Sequence, residues 1–259
     1  MSEAGTYLAV QMYTVREFMK TPADMDVSLG KVKASGYDAV QLSAGGPIDP
    51  ADMRALLDKH GLTAAATHIQ FDKIVNDTEG AISDHRILGC EYIGLGGMPA
   101  DYRASAEGYR EFARVIEPAA RKIADAGLKF IYHNHNFEFA RYDGKTGLQI
   151  LMESTDPAWM QFEIDTYWVQ MGGGDPIDWI RRMAGRMDVV HFKDMATDPV
   201  ERKPIMAEVG EGNLNWQGII AACAQIGVKW HIVEQDICQR DPFESLDISV
   251  RNLHRLGLR

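Results

Sequence analysis

The feature that most restricts what this chain can fold into is a unit repeated along its length. Each unit has a polar helix start, an amphipathic helix, a stopping glycine and a short apolar strand. The stops read KASG-YDAV at Gly36, DKHG-LTAAA at Gly61 and RILG-CEYIGL at Gly89; they continue as ADAG-LKFIY at Gly127, MAGR-MDVV at Gly185 and AQIG-VKWHIV at Gly227. Glycine at such a position takes the left-handed conformation that ends a helix without a Cβ clash. Helix starts are marked by Pro after a capping residue, at Thr21-Pro22, Asp49-Pro50, Asp175-Pro176 and Asp241-Pro242. One apolar stripe, such as Met53, Leu56, Leu57 and then His60, runs along the helices.

The strands implied are Leu8–Met12, Ala39–Leu42, Leu62–His68, Tyr92–Leu95, Leu128–His133, Met160–Asp165, Val189–Phe192 and Trp230–Glu234. Eight βα units in 259 residues predict an α/β fold, a single-domain (β/α)₈ barrel over 1–259. A doubly wound sheet would want a Gly-rich phosphate loop after its first strand, where this chain has QMYTVRE. Gly172-Gly173-Gly174 reads as a βα loop. The stretch from Ala196 to Asn215 reads as a long irregular loop, and long loops in compact domains tend to be functional.

Composition sets limits on partners. A net charge of -10 argues against nucleic acid or an anionic membrane. No apolar run approaches the roughly 18 residues of a membrane span, and the N-terminus lacks a leader's basic flank and apolar core. Cys90, Cys223 and Cys238 are odd in number and unclustered, which fits buried thiols in a reducing cytoplasm.

Barrel sites lie at the C-terminal ends of the strands. Those ends carry Gln11 and Tyr13, Gln41, His68, His133 and His135, Glu163 and Asp165, His191 and Lys193, and Glu234 and Asp236. A strand ending HNH is costly to bury unless its imidazoles are used. Asp165, His191 and Glu234, with His133 as a fourth, make a mixed nitrogen and oxygen set suited to Mn²⁺, Co²⁺, Zn²⁺ or Fe²⁺, with Mg²⁺ as a further option.

The motifs YHNHNFEF, FEIDTYW, VVHFKDM, EVGEGNLNW and IVEQD together resemble the sugar phosphate isomerase/epimerase family, the xylose-isomerase-like TIM barrels that include the endonuclease-IV-like enzymes. The resemblance implies a divalent metal, with Mn²⁺ first choice, held by Asp165 of DTYW, His191 of HFKD and Glu234 of VEQD. His133 stands where the family usually has Glu, and Trp168 where many epimerases have His. The family also implies a small sugar substrate and a homo-oligomer.

These readings lead to an isomerase or epimerase that moves a proton next to a keto-sugar carbonyl. Glu234 is the expected base, with His133, His135 or Glu163 opposing it, while Lys193 holds a carbonyl or enolate oxygen. His68, Gln11, Trp168 and Glu208 are expected at the substrate, with Glu211 leading into a helix and Trp168, Trp216 and Phe71 as an apolar wall. The alternative is elimination, a lyase or dehydratase acting on a 3-keto sugar, keto-glycoside or inosose, which needs one carboxylate base and one imidazole. The His-for-Glu departure favours it. A nuclease would want a basic face and several ions.

Overall fold

The structure is a computed structural model that describes residues 7–258. Residues 1–6, on which the leader reading partly fell, lie outside that range. The eight barrel strands are β1 (Tyr7–Gln11), β2 (Ala39–Leu42), β3 (Thr63–His68), β4 (Tyr92–Leu95), β5 (Lys129–His133), β6 (Gln161–Asp165), β7 (Val189–Phe192) and β8 (Trp230–Val233). They form a closed barrel in which each strand pairs with its sequence neighbours, and β8 closes the ring on β1 with Tyr7 opposite Trp230. Expected strand bounds hold to within a residue, the observed β8 stopping just before Glu234.

The expected helix punctuation is present. Gly61, Gly89 and Gly227 all have positive φ at helix C-termini, and Thr21, Asp49, Asp175 and Asp241 accept backbone N–H groups at helix starts. Leu57 and Met53 are buried on their helix while Leu56 is partly covered, so the stripe faces the strands. Among the described residues no helix is long and apolar enough to cross a membrane. Cys90 and Cys223 are buried and all three cysteines are free, with burial pushing the Cys90 thiol up to about 12.

Period-two alternation divides each strand between two environments. Outward residues pack under the helices in the larger core, whereas Ala9, Ala39, Ala65, Ala66, Tyr92, Ile131, Val189 and Ile232 fill the barrel interior. Two residues further along several strands, the same inward face presents Gln11, Gln41, His68, His133, His191 and Glu234. The apolar plug thus becomes a polar floor within a single step.

The stretch from Ala196 to Asn215 differs from the expected irregular loop. It carries one arm of an antiparallel hairpin, Asp194–Thr197 paired with Pro204–Ala207. The hairpin is tied down by the buried Asp194, whose carboxylate accepts from the backbone N–H groups of Met195, Gly210, Gly212 and Leu214 and from the Trp216 indole.

Candidate metal and active site

Four side chains from consecutive strands converge at the C-terminal mouth. One ligand-type atom from each of His133, Asp165, His191 and Glu234 lies within 4.8 Å of the other three, and all four residues are buried. Their local bonding fixes which atom each one offers. His133 donates Nδ1–H to the Gly96 carbonyl at 3.2 Å, which leaves the Nε2 lone pair facing Asp165 Oδ2 at 3.3 Å. Asp165 uses Oδ1 to cap the helix Thr166–Met171 through the Trp168 N–H, keeping Oδ2 for the cluster.

His191 is set from below. Its Nε2–H donates to Gln41 Oε1 at 2.5 Å, so Nδ1 points at Glu234 Oε2, 3.0 Å away. Gln41 cannot flip freely, because Gln11 donates to its Oε1 and its own Nε2 donates to Glu163 Oε1 at 2.8 Å. His68 donates Nε2–H to the other Glu163 oxygen at 2.5 Å and accepts from Gln11 at Nδ1. Such outer partners orient a metal-binding imidazole and raise its basicity. Gly96 makes room for this packing, since a Cβ there would meet His68 Nδ1 at 3.0 Å.

Lys193 sits at the cluster's edge. Its Nζ is 3.0 Å from Glu234 Oε2, 3.5 Å from Asp165 Oδ2 and 2.7 Å from Asp236 Oδ1. Burial works against its charge, but Glu234, Asp165 and Asp236 outweigh burial and raise its pKa, so it is an ammonium. Burial likewise opposes ionisation of Glu234 and Asp165, and the neighbouring cations, Lys193 foremost, hold both carboxyls well below their usual range. Burial opposes a charge on His191 too, but Glu163, Glu234 and Asp165 outweigh it and raise its pKa well above the ordinary value, so a divalent cation bound here would take the place of that ring's proton. The donor set, two imidazole nitrogens and two carboxylate oxygens, fits such an ion once His191 gives up its proton.

A cavity of about 570 Å³ opens above this floor. His68, His133, His135, Lys193, Glu234 and Asp236 line its inner end. His135 stacks on Phe137 with ring centroids 5.6 Å apart, and its Nδ1 is buried without a protein partner. Burial and the neighbouring His133 push its pKa down to about 3, so it is a neutral imidazole at the cavity wall.

A model of the xylose isomerase-like TIM barrel matches residues 29–251. The chain belongs to that family. An inosose dehydratase from Geobacillus kaustophilus is 24% identical over 271 residues, spanning 89% of this chain and 87% of that one. A sugar phosphate isomerase/epimerase from Parabacteroides distasonis superposes with a TM-score of 0.81 at 22% identity, over 97% of this chain and 94% of that one. The IOLI protein, whose crystal structure holds a zinc atom, superposes with a TM-score of 0.71 at 14% identity, over 97% and 98% of the two chains. Proteins similar to this chain in sequence or fold thus carry both dehydratase and isomerase/epimerase names.

Several expected substrate residues stand elsewhere in this xylose isomerase-like barrel. Glu208 is buried away from the cavity, accepting from the Ser245 hydroxyl at 2.7 Å and paired with Arg240. Gln11 is fully buried beneath the cluster, where its amide holds Gln41 rather than a sugar. Glu163 is fully buried as well: burial opposes its charge, yet His191 and His68 hold its carboxyl well below the usual range, so it is a clamped counter-ion and no spare base. Trp216 is core, its indole spent on Asp194. Trp168 backs the site, with its ring 5.2 Å from Lys193 Nζ and 5.3 Å from the His135 ring, and does not line the cavity. Asp236, Tyr13, Gln70 and Arg103 line it without having been expected at the substrate; only Tyr13 and Asp236 carried a signal, the period-two step past Gln11 and Glu234.

Proposed function

We propose that this protein is a divalent-metal-dependent lyase that removes the proton beside the carbonyl of a keto-sugar or inosose-like keto-polyol and expels the oxygen on the next carbon. The observation that carries this reading is the supply of bases around the cluster. Glu234 is the one carboxylate that both belongs to the ligand set and lines the cavity. Asp236 touches the same Lys193 ammonium, so it sits on the same flank. Glu163 is sealed beneath, and His133 has both ring nitrogens committed. An epimerase of the two-carboxylate kind would need a second base on the opposite face.

A bound divalent ion supplies Lewis acidity that draws electron density from the carbonyl and makes an enolate accessible at neutral pH. His133, Asp165, His191 and Glu234 would hold it, with Mn²⁺ first choice and Co²⁺, Zn²⁺, Fe²⁺ or Mg²⁺ as alternatives; the zinc in the IOLI structure, which shares this fold, supports a divalent ion. Glu234 takes the proton. Lys193, already an ammonium, steadies negative charge developing on the substrate oxygen. The newly protonated Glu234 is then the nearest acid to a leaving oxygen on its own face, so one carboxylate completes a syn elimination. The likeness to inosose dehydratases over most of the chain supports this chemistry.

Isomerisation or epimerisation is the second reading, favoured by one observation: His135, neutral and with Nδ1 free, lies on the β5 flank and offers an alternative acceptor. Incubating metal-loaded protein with scyllo-inosose and 3-keto-glucosides in D₂O, followed by NMR, separates the two. Elimination yields an unsaturated ketone. Deuterated stereoisomers with no unsaturated product would refute it.

A further inference from the structure

We infer that the outer half of the cavity is a subsite for a second sugar residue, so that the group expelled is a sugar hydroxyl and the substrate is a keto-glycoside. This rests on the elimination reading and adds the identity of the leaving group. The cavity of about 570 Å³ exceeds what one ring fills. A six-carbon polyol ring displaces the volume of about six waters, roughly 180 Å³. The volume therefore leaves room for a group beyond the first ring.

The lining of the outer half is chemically distinct from the ionic floor. Besides the ionic floor, the cavity is lined by Tyr13, Ser43, Gln70, Arg103 and Phe71, none of which belongs to the ligand cluster. The Tyr13 hydroxyl, Ser43 hydroxyl and Gln70 amide make no side-chain hydrogen bond within the described residues, so these groups are unspent. Arg103 is held rigidly: Nε and Nη2 both donate to the Met98 carbonyl, and its guanidinium carbon lies 3.8 Å from the Phe137 ring centroid. That leaves Nη1 without a protein partner. Phe71 is itself braced by Tyr102 and Phe112, with centroids 6.1 and 5.9 Å away. An aromatic ring sharing one cavity lining with uncommitted hydroxyl, amide and guanidinium groups suits the apolar face and hydroxyl edge of a sugar. A phosphate would want several converging cations, whereas the cavity lining offers Arg103 and a Lys193 ammonium already paired with Glu234 and Asp236.

The step balances without a co-reactant. Glu234 takes the proton from C2 of a 3-keto-glycoside, the C1–O bond breaks with its electron pair going to the leaving oxygen, and a C1=C2 double bond forms in conjugation with the ketone. The leaving oxygen ends protonated, so the products are an unsaturated keto-sugar and an intact second sugar.

The test compares initial rates of metal-loaded protein on methyl 3-keto-glucoside and on 3-keto-glucosides linked α or β to a second glucose. One of the disaccharides should exceed the methyl glycoside in kcat/KM by about tenfold, the size of one stacking contact plus a hydrogen bond. Phe71→Ala and Arg103→Met should each shrink that ratio. The ratio is read rather than the rate, and wild-type protein alone gives the first answer should a variant fold poorly. Equal or better turnover of the methyl glycoside would overturn the second-sugar subsite while leaving elimination intact. Stereoisomers alone from every substrate, with no unsaturated product, would overturn both.

Discussion

Glu234 has to hold charge for an ion and also accept a proton, and its two oxygens make this division possible. Oε2 faces His191 and Lys193 while the carboxylate as a whole borders the cavity. Glu234→Gln keeps an oxygen for the ion and loses the base, so metal content should stay near wild type while turnover falls by about 10²–10⁴. Metal analysis beside steady-state rates checks this; normal turnover at full metal occupancy would move the base elsewhere. Glu138 gives a second prediction. It accepts from the Tyr132 hydroxyl at 2.6 Å and from the His135 N–H at 2.9 Å, and burial still pushes its carboxyl up to about 7. The folded protein keeps a proton that the unfolded chain releases near 4.5. Stability is then greatest below that pH and declines as pH rises from 4.5 to about 7, by roughly 3 kcal/mol in all. The stability difference between wild type and Glu138→Gln, from denaturant midpoints at about pH 5 to 8, should follow that slope, and a constant difference would exclude it. The convergence of His133, Asp165, His191 and Glu234 was legible from sequence because period two sends strand-end residues to one mouth. Glu208, Gln11 and Glu163 were not, because whether a buried polar group faces substrate or a neighbour depends on partners 30 or more residues away.

At the scale of elements, strand positions were legible almost to the residue, since glycine stops and β-branched runs are local signals. The hairpin after β7 was not. Its strands are only four residues each, one begins with Pro204, and what orders it is the carboxylate of its own first residue, Asp194, which accepts from N–H groups 16 to 22 residues on. Asp194→Asn sets an amide NH₂ against a cluster of N–H donors. It should cost about 3 kcal/mol and lower Tm by roughly 6–12 °C. Thermal unfolding measures this, and limited proteolysis within 196–215 should quicken in the variant. An unchanged melting curve would show that the hairpin is ordered by its own ladder.

The whole molecule joins the site to the barrel's closure. Chelation should abolish turnover, and Mn²⁺ or Co²⁺ should restore it better than Ca²⁺, which prefers more oxygen ligands. At an ion concentration 100 times Kd, refilling should add about 2.7 kcal/mol of stability, measurable by denaturant unfolding with and without the ion. Full activity in metal-stripped protein would give the strand-end cluster another purpose. The ligands come from β5 to β8, while the glutamines and His68 that steer them come from β1 to β3. The two groups meet across the barrel interior, Gln41 reaching His191 and Glu163 and His68 reaching Glu163. An ion held by β5 to β8 would tie those four neighbouring strands into one arc: the amides of Tyr132, Ile164 and Val190 should exchange with solvent faster once it is removed, while those of β2 and β3 keep their protection.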